Sequence, residues 1–391
     1  MSSALISRSP DLSRLQNEGY ELNVVGARLV VHHVPYVTAS RTVEFGSLVC
    51  DLTLSGDRTA KPQTHVMHFS GQMPCHKDGT PIRAIQHSEA PQELAPGLQV
   101  QRSFSNKPPG GYADYYSMVS RYVEILSAPA AALDPSATAR TFKPIPEADA
   151  DSVFTYVDTN SERAQISTIA AKLQGQRIAI VGLGGTGSYV LDLVAKTPVA
   201  EIRLFDADNF LQHNAFRAPG APSLEQLNES PAKVDYLARI YSRMHKGIRP
   251  YRERLDGTNL CHLDGLHFVF LCMDSGQTKK QIVGELVSKQ IPFTDAGIGI
   301  QQSDHHLLGI LRVTTNTAEK HDHLEKRISF AEPDDDAYST NVQIAELNML
   351  NAALSVIKWK KLAGFYLDAE HEHHTTYSID GGMLLNEDIQ A

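Results

Sequence analysis

The sequence predicts an α/β fold: a doubly wound, Rossmann-like sheet with antiparallel additions in the C-terminal part, preceded by a smaller β-rich or α+β domain. Three observations carry this. The run "RIAIVG" leads as a short apolar strand into a glycine-rich turn and then a helical pattern, "IAIVGLGGTGSYVLDLVAK", Ile178 to Lys196. Beyond residue 160, strand-like and helix-like stretches alternate, as a parallel sheet with crossover helices requires. Between about 130 and 165 the composition shifts to Pro, Ala, Ser and Asp in "SAPAAALDPSATARTFKPIPEADADS", which reads as a linker and sets domains at 1–150 and 160–391. A chain of 391 residues accommodates both.

In the first domain "ARLVVHHVPYV", "TVEFGSLVCDLTL" and "THVMHFSG" are short, β-branched runs bounded by Gly, Pro and Asp, and "YADYYSMVSRYVEIL" is the one helical pattern. In the second, strands are expected at "RIAIVG", "EIRLFD", "IRPYRERL", "HFVFLCM" and "IPFTDA". Helices are expected from Thr186, from about Pro231 and from about Ser275. "GIGIQQ" and "HLLGILRVTTN" read as an antiparallel pair, and "NVQIAELNMLNAALSVIKWKKLAGF" keeps helical spacing over several turns. The tail "DAEHEHHTTYS", with His371, His373 and His374, reads as a solvated turn.

A formal net charge of −9 gives no global basic footprint, so nucleic acid is not expected as a partner. No run approaches the roughly 20 apolar residues of a spanning helix, and we expect a cytoplasmic protein without membrane association. Four scattered cysteines, Cys50, Cys75, Cys261 and Cys272, do not make a disulfide framework, and no CxxC pair points to zinc. His65, His68, Cys75 and His76 lie close in sequence, but strand and turn packing is the expected role without matching ligands elsewhere.

In Gly182, Gly184, Gly185 and Gly187 the turn has residues that let the backbone approach an anion, while the helix start presents free N–H groups. Phosphate is the natural ligand. Asp206, about twenty residues beyond at a strand end, is placed to bind a ribose hydroxyl. On these residues alone NAD and ATP are equally good ligands. The following segment separates them: "LFDADNFLQHNAFRAPG" carries Asp208, Asn214 and Arg217, Lys233 opens "KVDYLARIYSRM", and Asp274 ends "HFVFLCMD". Hydride transfer needs no such cations near its phosphates. Attack of a carboxylate on the α-phosphorus of ATP does, because two anions meet and charge builds on the phosphoryl oxygens; Arg, Lys and a carboxylate-held Mg²⁺ offset it. Asp208 and Asn214 are also ordinary turn-capping residues, and Arg217, Lys233 and Lys279 are of types usually found at surfaces; Lys279 is expected to pair there.

As a set, these motifs resemble the ThiF family, which includes sulfur-carrier adenylyltransferases and the adenylation domains of ubiquitin-activating enzymes. The resemblance runs from about Asn160 to the C-terminus. It implies that Gly182, Gly184, Gly185 and Gly187 cradle the nucleotide, that Asp206 holds the ribose, with Asp208 beside it, that Asn214, Arg217 and Lys233 contact phosphates, and that Asp274 binds Mg²⁺. Arg163, upstream of the first strand, fits an arginine that in the family often reaches a partner subunit's site, which implies a homodimer.

Ubiquitin-activating enzymes carry a cysteine before the last long helix. Here the connection reads "FAEPDDDAYSTNVQIAELN", and no cysteine follows Cys272. Three routes remain open: direct attack on the acyl-adenylate by a partner's thiol, an oxyester on Ser339 or Thr340, or capture by Cys75. Ser339 is equally suited to cap a helix. The stretches "YSTNVQIAELNMLNAALSVIKWKKLAGFY" and "FSNKPPGGYADYY" resemble a bacterial branch of this family associated with ubiquitin-like conjugation, and this resemblance implies ATP- and Mg²⁺-dependent adenylation of the C-terminal glycine of a ubiquitin-like protein in such a bacterial conjugation pathway, with a conjugating enzyme as a further partner. A sulfur-carrier adenylyltransferase, a tRNA-modifying relative, an NAD-dependent oxidoreductase and a non-catalytic scaffold are the alternatives.

Overall fold

The computed structural model describes residues 2–147, 149–274, 276–330 and 342–389. The chain divides into two compact units, Met1–Asp149 and Ala150–Ala391.

The first unit opens with two short helices, α1 (Ser2–Arg8) and α2 (Pro10–Asn17), which the periodicity did not reveal. Its main sheet has six strands: β1 (Glu21–Val25), β2 (Arg28–Val37), β3 (Val43–Asp51), β4 (Val66–Ser70), β5 (Gln86–Ser88) and β6 (Arg102–Ser105). They lie in the order β1-β2-β3-β4-β6-β5, all antiparallel. The three strands read from the sequence are β2, β3 and β4. Helix α3 (Tyr115–Leu133) packs on this sheet and buries Tyr115, Met118, Val119, Tyr122 and Leu126. Asp114 caps it by accepting from the Ser117 backbone N–H at 2.7 Å. The expected linker therefore starts too early: "SAPAAAL" continues the helix, with Pro129 inside it. The alanines favour helix, and the buried face outweighs the local breaker.

The second unit is built on an eight-stranded sheet. Its strands are β7 (Arg177–Val181), β8 (Glu201–Phe205), β9 (Ile248–Tyr251), β10 (Phe268–Leu271), β11 (Phe293–Ser303), β12 (His306–Asn316), β13 (His374–Ser378) and β14 (Met383–Glu387). The order is β9-β8-β7-β10-β11-β12-β13-β14; the first five are parallel and the remainder antiparallel. Around it lie α4 (Thr159–Arg163), α5 (Gly185–Val194), α6 (Lys233–Tyr241), α7 (Gly276–Ser288) and α8 (Ala345–Leu362). The central parallel strands are apolar and buried over Ile178–Val181 and Phe268–Leu271, because helices cover both faces. One apolar cluster joins α5, α6 and α8 to one face through Val190, Leu237 and Trp359; the other joins α7 through Ile282 and Leu286.

Two expectations are corrected here. "IPFTDA" and "GIGIQQ" form one strand, β11, that pairs with β12 along its whole length from Phe293↔Asn316 to Ser303↔His306. The His-rich tail is no solvated turn: His374 opens β13, and His373 and His374 are buried, while His371 is exposed. Among the described residues no helix is long and apolar enough to cross a membrane.

Candidate nucleotide site

Strand order reverses direction between β7 and β10, and in open α/β sheets ligands bind beyond the carboxyl ends of the strands at such a point. A cavity of about 290 Å³ opens there. Its floor is the turn after β7, with Gly182, Gly184, Gly185 and Thr186; its sides are Asp206 and Asp208 after β8, and Cys272, Met273 and Asp274 after β10. Arg217, Lys233, Arg254 and Gln343 complete the polar lining.

The turn is fixed by backbone geometry. Gly182 has φ of +87°, and a Cβ there would fall 2.6 Å from the Cys272 carbonyl oxygen. At Gly184 a Cβ would meet no atom within 4 Å, so the turn's open side faces free space. Gly187, expected to cradle the nucleotide, does not line the cavity; a side chain on it would overlap the Gly182 carbonyl. It lets α5 close onto the turn.

Asp206 ties the turn to the next strand. One of its oxygens accepts from the Leu183 backbone N–H at 2.7 Å and the other from that of Asp208 at 2.9 Å. Lys233, only 7% exposed, donates to Asp208 at 2.8 Å and lies 3.4 Å from Asp206. The Lys233 hydrogen bond holds the Asp208 carboxyl below the usual range against the opposing effect of burial, with Arg254 at 3.6 Å assisting. Arg254 was missed by sequence reasoning, since it is an exposed arginine beyond the end of β9.

Arg217 is half-buried, and its Nε is shielded from solvent with no partner among the described residues. Burial pulls its pKa down and the charge of Asp274 pulls it back up. Asn214 stands behind the lining: its Oδ1 accepts from the Leu211 backbone N–H at 2.8 Å, and its buried Nδ2 has no described partner. The phosphate contact expected of Asn214 therefore has no direct support, and capping the short helix Gln212–Ala215 is its observed role. Arg163 ends α4, is exposed and lies outside this cavity. Ser339 and Thr340 lie outside the described residues.

Two further side chains hold the site. Asn348 of α8 accepts from Thr186 Oγ1 at 3.0 Å. Lys279, expected at the surface, is 4% exposed and pairs at 2.7 Å with Asp295, which is fully buried; Arg312 approaches the other carboxylate oxygen at 3.2 Å. This arrangement is held by charge, since neither Asp295 oxygen has an aligned hydrogen bond among the described residues. Cys272 lines the cavity, but burial pushes its thiol pKa far up, which makes it a poor thiolate. Cys75 is likewise buried with a raised pKa, and no group of three or more metal-ligating side chains occurs among the described residues.

Compared with known families, residues 160–323 match the ThiF family, and residues 10–159 match a domain of unknown function, DUF6791. Residues 160–323 form a ThiF family domain. That assignment supports an adenylyltransferase using ATP. Similar solved structures include PaaA, at 17% identity and a TM-score of 0.45 over 57% of this chain and 75% of that one. Others are E. coli MccB with MccA-N7isoASN, at 16% and 0.45 over 59% and 69%, and E. coli MccB with ATP, at 17% and 0.43 over the same shares. No curated protein matches the chain.

Proposed function

We propose that the ThiF domain adenylates the C-terminal glycine of a ubiquitin-like protein, consuming ATP with Mg²⁺ and releasing pyrophosphate, in a bacterial conjugation pathway. The observation that carries this is the convergence of Arg217, Lys233 and Arg254 on a cavity whose floor is the glycine turn and whose rim holds Asp274. Lys233 and Arg254 are positioned by Asp206 and Asp208, and this set of cations suits phosphate approached by a carboxylate.

The lining fits the nucleotide on its own evidence. Gly184 leaves open space beside the N-terminus of α5, and the shielded Arg217 Nε is a donor with no acceptor among the described residues. When bound, Mg²⁺ supplies charge neutralisation across the phosphates, and Asp274 is the residue that would hold it. Asp206, beside Asp208, faces the ribose; Lys233 and Arg217 stabilise charge developing at the α-phosphate; the Gly184–Gly185 backbone packs against the phosphates. Arg163 serves the site of a second copy in a homodimer, a role for which an exposed position outside its own cavity is suited.

With Cys272 held as a neutral thiol, a thiol of a partner, a conjugating enzyme being the natural acceptor, attacks the acyl carbonyl directly, forming a thioester and losing its proton as the acyl–phosphate bond breaks and AMP leaves. If Ser339 carries the acyl group instead, the adduct resists reducing agent and yields to hydroxylamine, and Ser339→Ala abolishes it.

The deciding experiment is ATP–pyrophosphate exchange with and without candidate ubiquitin-like proteins ending in a free glycine, comparing wild type with Asp274→Ala. Exchange that requires both the carrier and Asp274 supports the proposal. Nucleotide binding without exchange, or binding of NAD in preference to ATP, overturns it.

A further inference from the structure

The ThiF-containing unit has a second cavity, of about 400 Å³, that shares no lining residue with the first. The chain enters it from residues 154–173, the segment that precedes β7, and from the C-terminal end of α8. Its walls are largely apolar, with Phe154, Val157, Ile166, Leu173, Met244 and Phe365. Thr159, Ser161 and Thr197 supply a polar edge.

One residue breaks the apolar pattern. Lys360, half-buried near the end of α8, lines this cavity, and its Nζ lies 4.6 Å from the centre of the Phe365 ring and 6.0 Å from that of Tyr366. No carboxylate among the described residues lies within ion-pair distance of it, whereas its neighbours on the helix, Lys358 and Lys361, are both bound to Asp368 and Glu372. The other ammonium at the cavity, Lys196, is occupied by Asp192 at 2.8 Å. The one carboxylate in the lining, Asp158, is occupied too: it accepts from the Ser161 backbone N–H at 3.0 Å and from Ser161 Oγ at 2.6 Å, capping α4.

An ammonium drawn part-way into an apolar wall is favoured by a nearby anion. Cation–π contact with Phe365 offsets part of the desolvation cost, and burial still draws the Lys360 pKa below the ordinary lysine range. The cavity has the size and lining of a small-molecule site, apolar with a few polar groups that fix orientation, and the charge missing from it is negative.

We propose that this second cavity binds a small organic monocarboxylate with an aryl or alkyl body, the carboxylate pairing with Lys360 and the body lying against Phe154, Ile166, Met244 and Phe365. The site is independent of the adenylation reading and concerns a different ligand. Its position gives it a place in the molecule's chemistry: the segment that closes it, 154–173, also carries α4 and Arg163.

The probe is phenylbutyrate, with phenylbutylamine and phenylbutanol as the cationic and neutral counterparts of matched body, titrated calorimetrically into the full chain. The expected result is saturable one-to-one binding of phenylbutyrate, at least about tenfold tighter than either counterpart, as a charge-assisted hydrogen bond provides. Lys360→Met keeps the side chain's length and apolar stem and should weaken phenylbutyrate by at least about tenfold, leaving phenylbutanol unchanged. Ala170→Phe adds a bulky ring to the cavity lining while keeping Lys360 and should remove all three ligands. Failure of wild type to bind phenylbutyrate, equal binding of the amine, unchanged affinity in Lys360→Met, or persistence of binding in Ala170→Phe would each overturn the proposal. The wild-type comparison of acid with amine decides the matter even if a variant does not fold.

Discussion

The carboxamide of Asn348 occupies the place where a side chain on Gly185 would stand: a Cβ built there falls 2.0 Å from Asn348 Nδ2. The same carboxamide accepts from Thr186 at 3.0 Å, so one residue of the last long helix both fills and fastens the glycine turn. Gly185→Ala should weaken ATP binding by at least about tenfold, as overpacking costing 1–3 kcal/mol is focused on the binding turn. Asn348→Ala loses the Thr186 bond but makes room, so the double variant should bind ATP better than Gly185→Ala alone. Fluorescent-nucleotide titration of the four proteins tests this, and absence of rescue would exclude the steric account.

Arg217 is the cation whose donor atom has no described partner beside Asp274. Its truncation to alanine should lower the rate of adenylation roughly 10²-fold, the scale found for donors that meet developing charge, while the fold is retained. Carrier-dependent pyrophosphate exchange reads the rate. A variant turning over near the wild-type rate would remove Arg217 from the proposed chemistry.

The Lys279–Asp295 pair lies in the interior between α7 and β11. Removing one partner leaves a buried charge, which costs about 3–5 kcal/mol, while removing both is milder. Lys279→Met should therefore destabilise the unit more than Lys279→Met combined with Asp295→Leu, with Arg312 limiting the loss in the single variant. Urea unfolding midpoints measure the order, and the reverse order would show that the pair has little electrostatic role.

Acid should loosen the C-terminal strands. His323, His373 and His374 are buried, and burial lowers the pKa of all three, that of His374 to about 4. The unfolded chain takes up these protons near pH 6.5 and the folded one resists them, so their stabilising effect is full above about pH 6.5 and declines as pH falls toward 4. For His374 alone the loss is on the order of 3 kcal/mol at its limit. His374→Gln should flatten the fall in melting temperature between pH 6.5 and 4; an unchanged slope would exclude that histidine.

The parts of the site that the sequence made legible are those fixed locally. The glycine turn, Asp206 and Lys233 declare themselves because strand, turn and helix follow one another within a few residues, and backbone demands select the residue types. Asn348 reaches Thr186 across 162 positions, and nothing near it in the chain announces the contact. Lys279 and Lys360 carry the most surface-prone side chain at helical spacing, so only packing reveals that the first is buried and the second half-buried. β13 and β14 escaped notice because "HTTYS" and "MLLNE" are too short and too polar to alternate visibly, and they exist only because β12 offers an edge.

Gly182 has a further consequence at the level of inheritance. Any single-base change in a glycine codon that alters the amino acid introduces a side chain with a Cβ, and here that Cβ meets both the left-handed backbone and the Cys272 carbonyl. Drift through near-synonymous replacements is closed at this position: only silent changes leave the turn, and the ligand approach it permits, as they are.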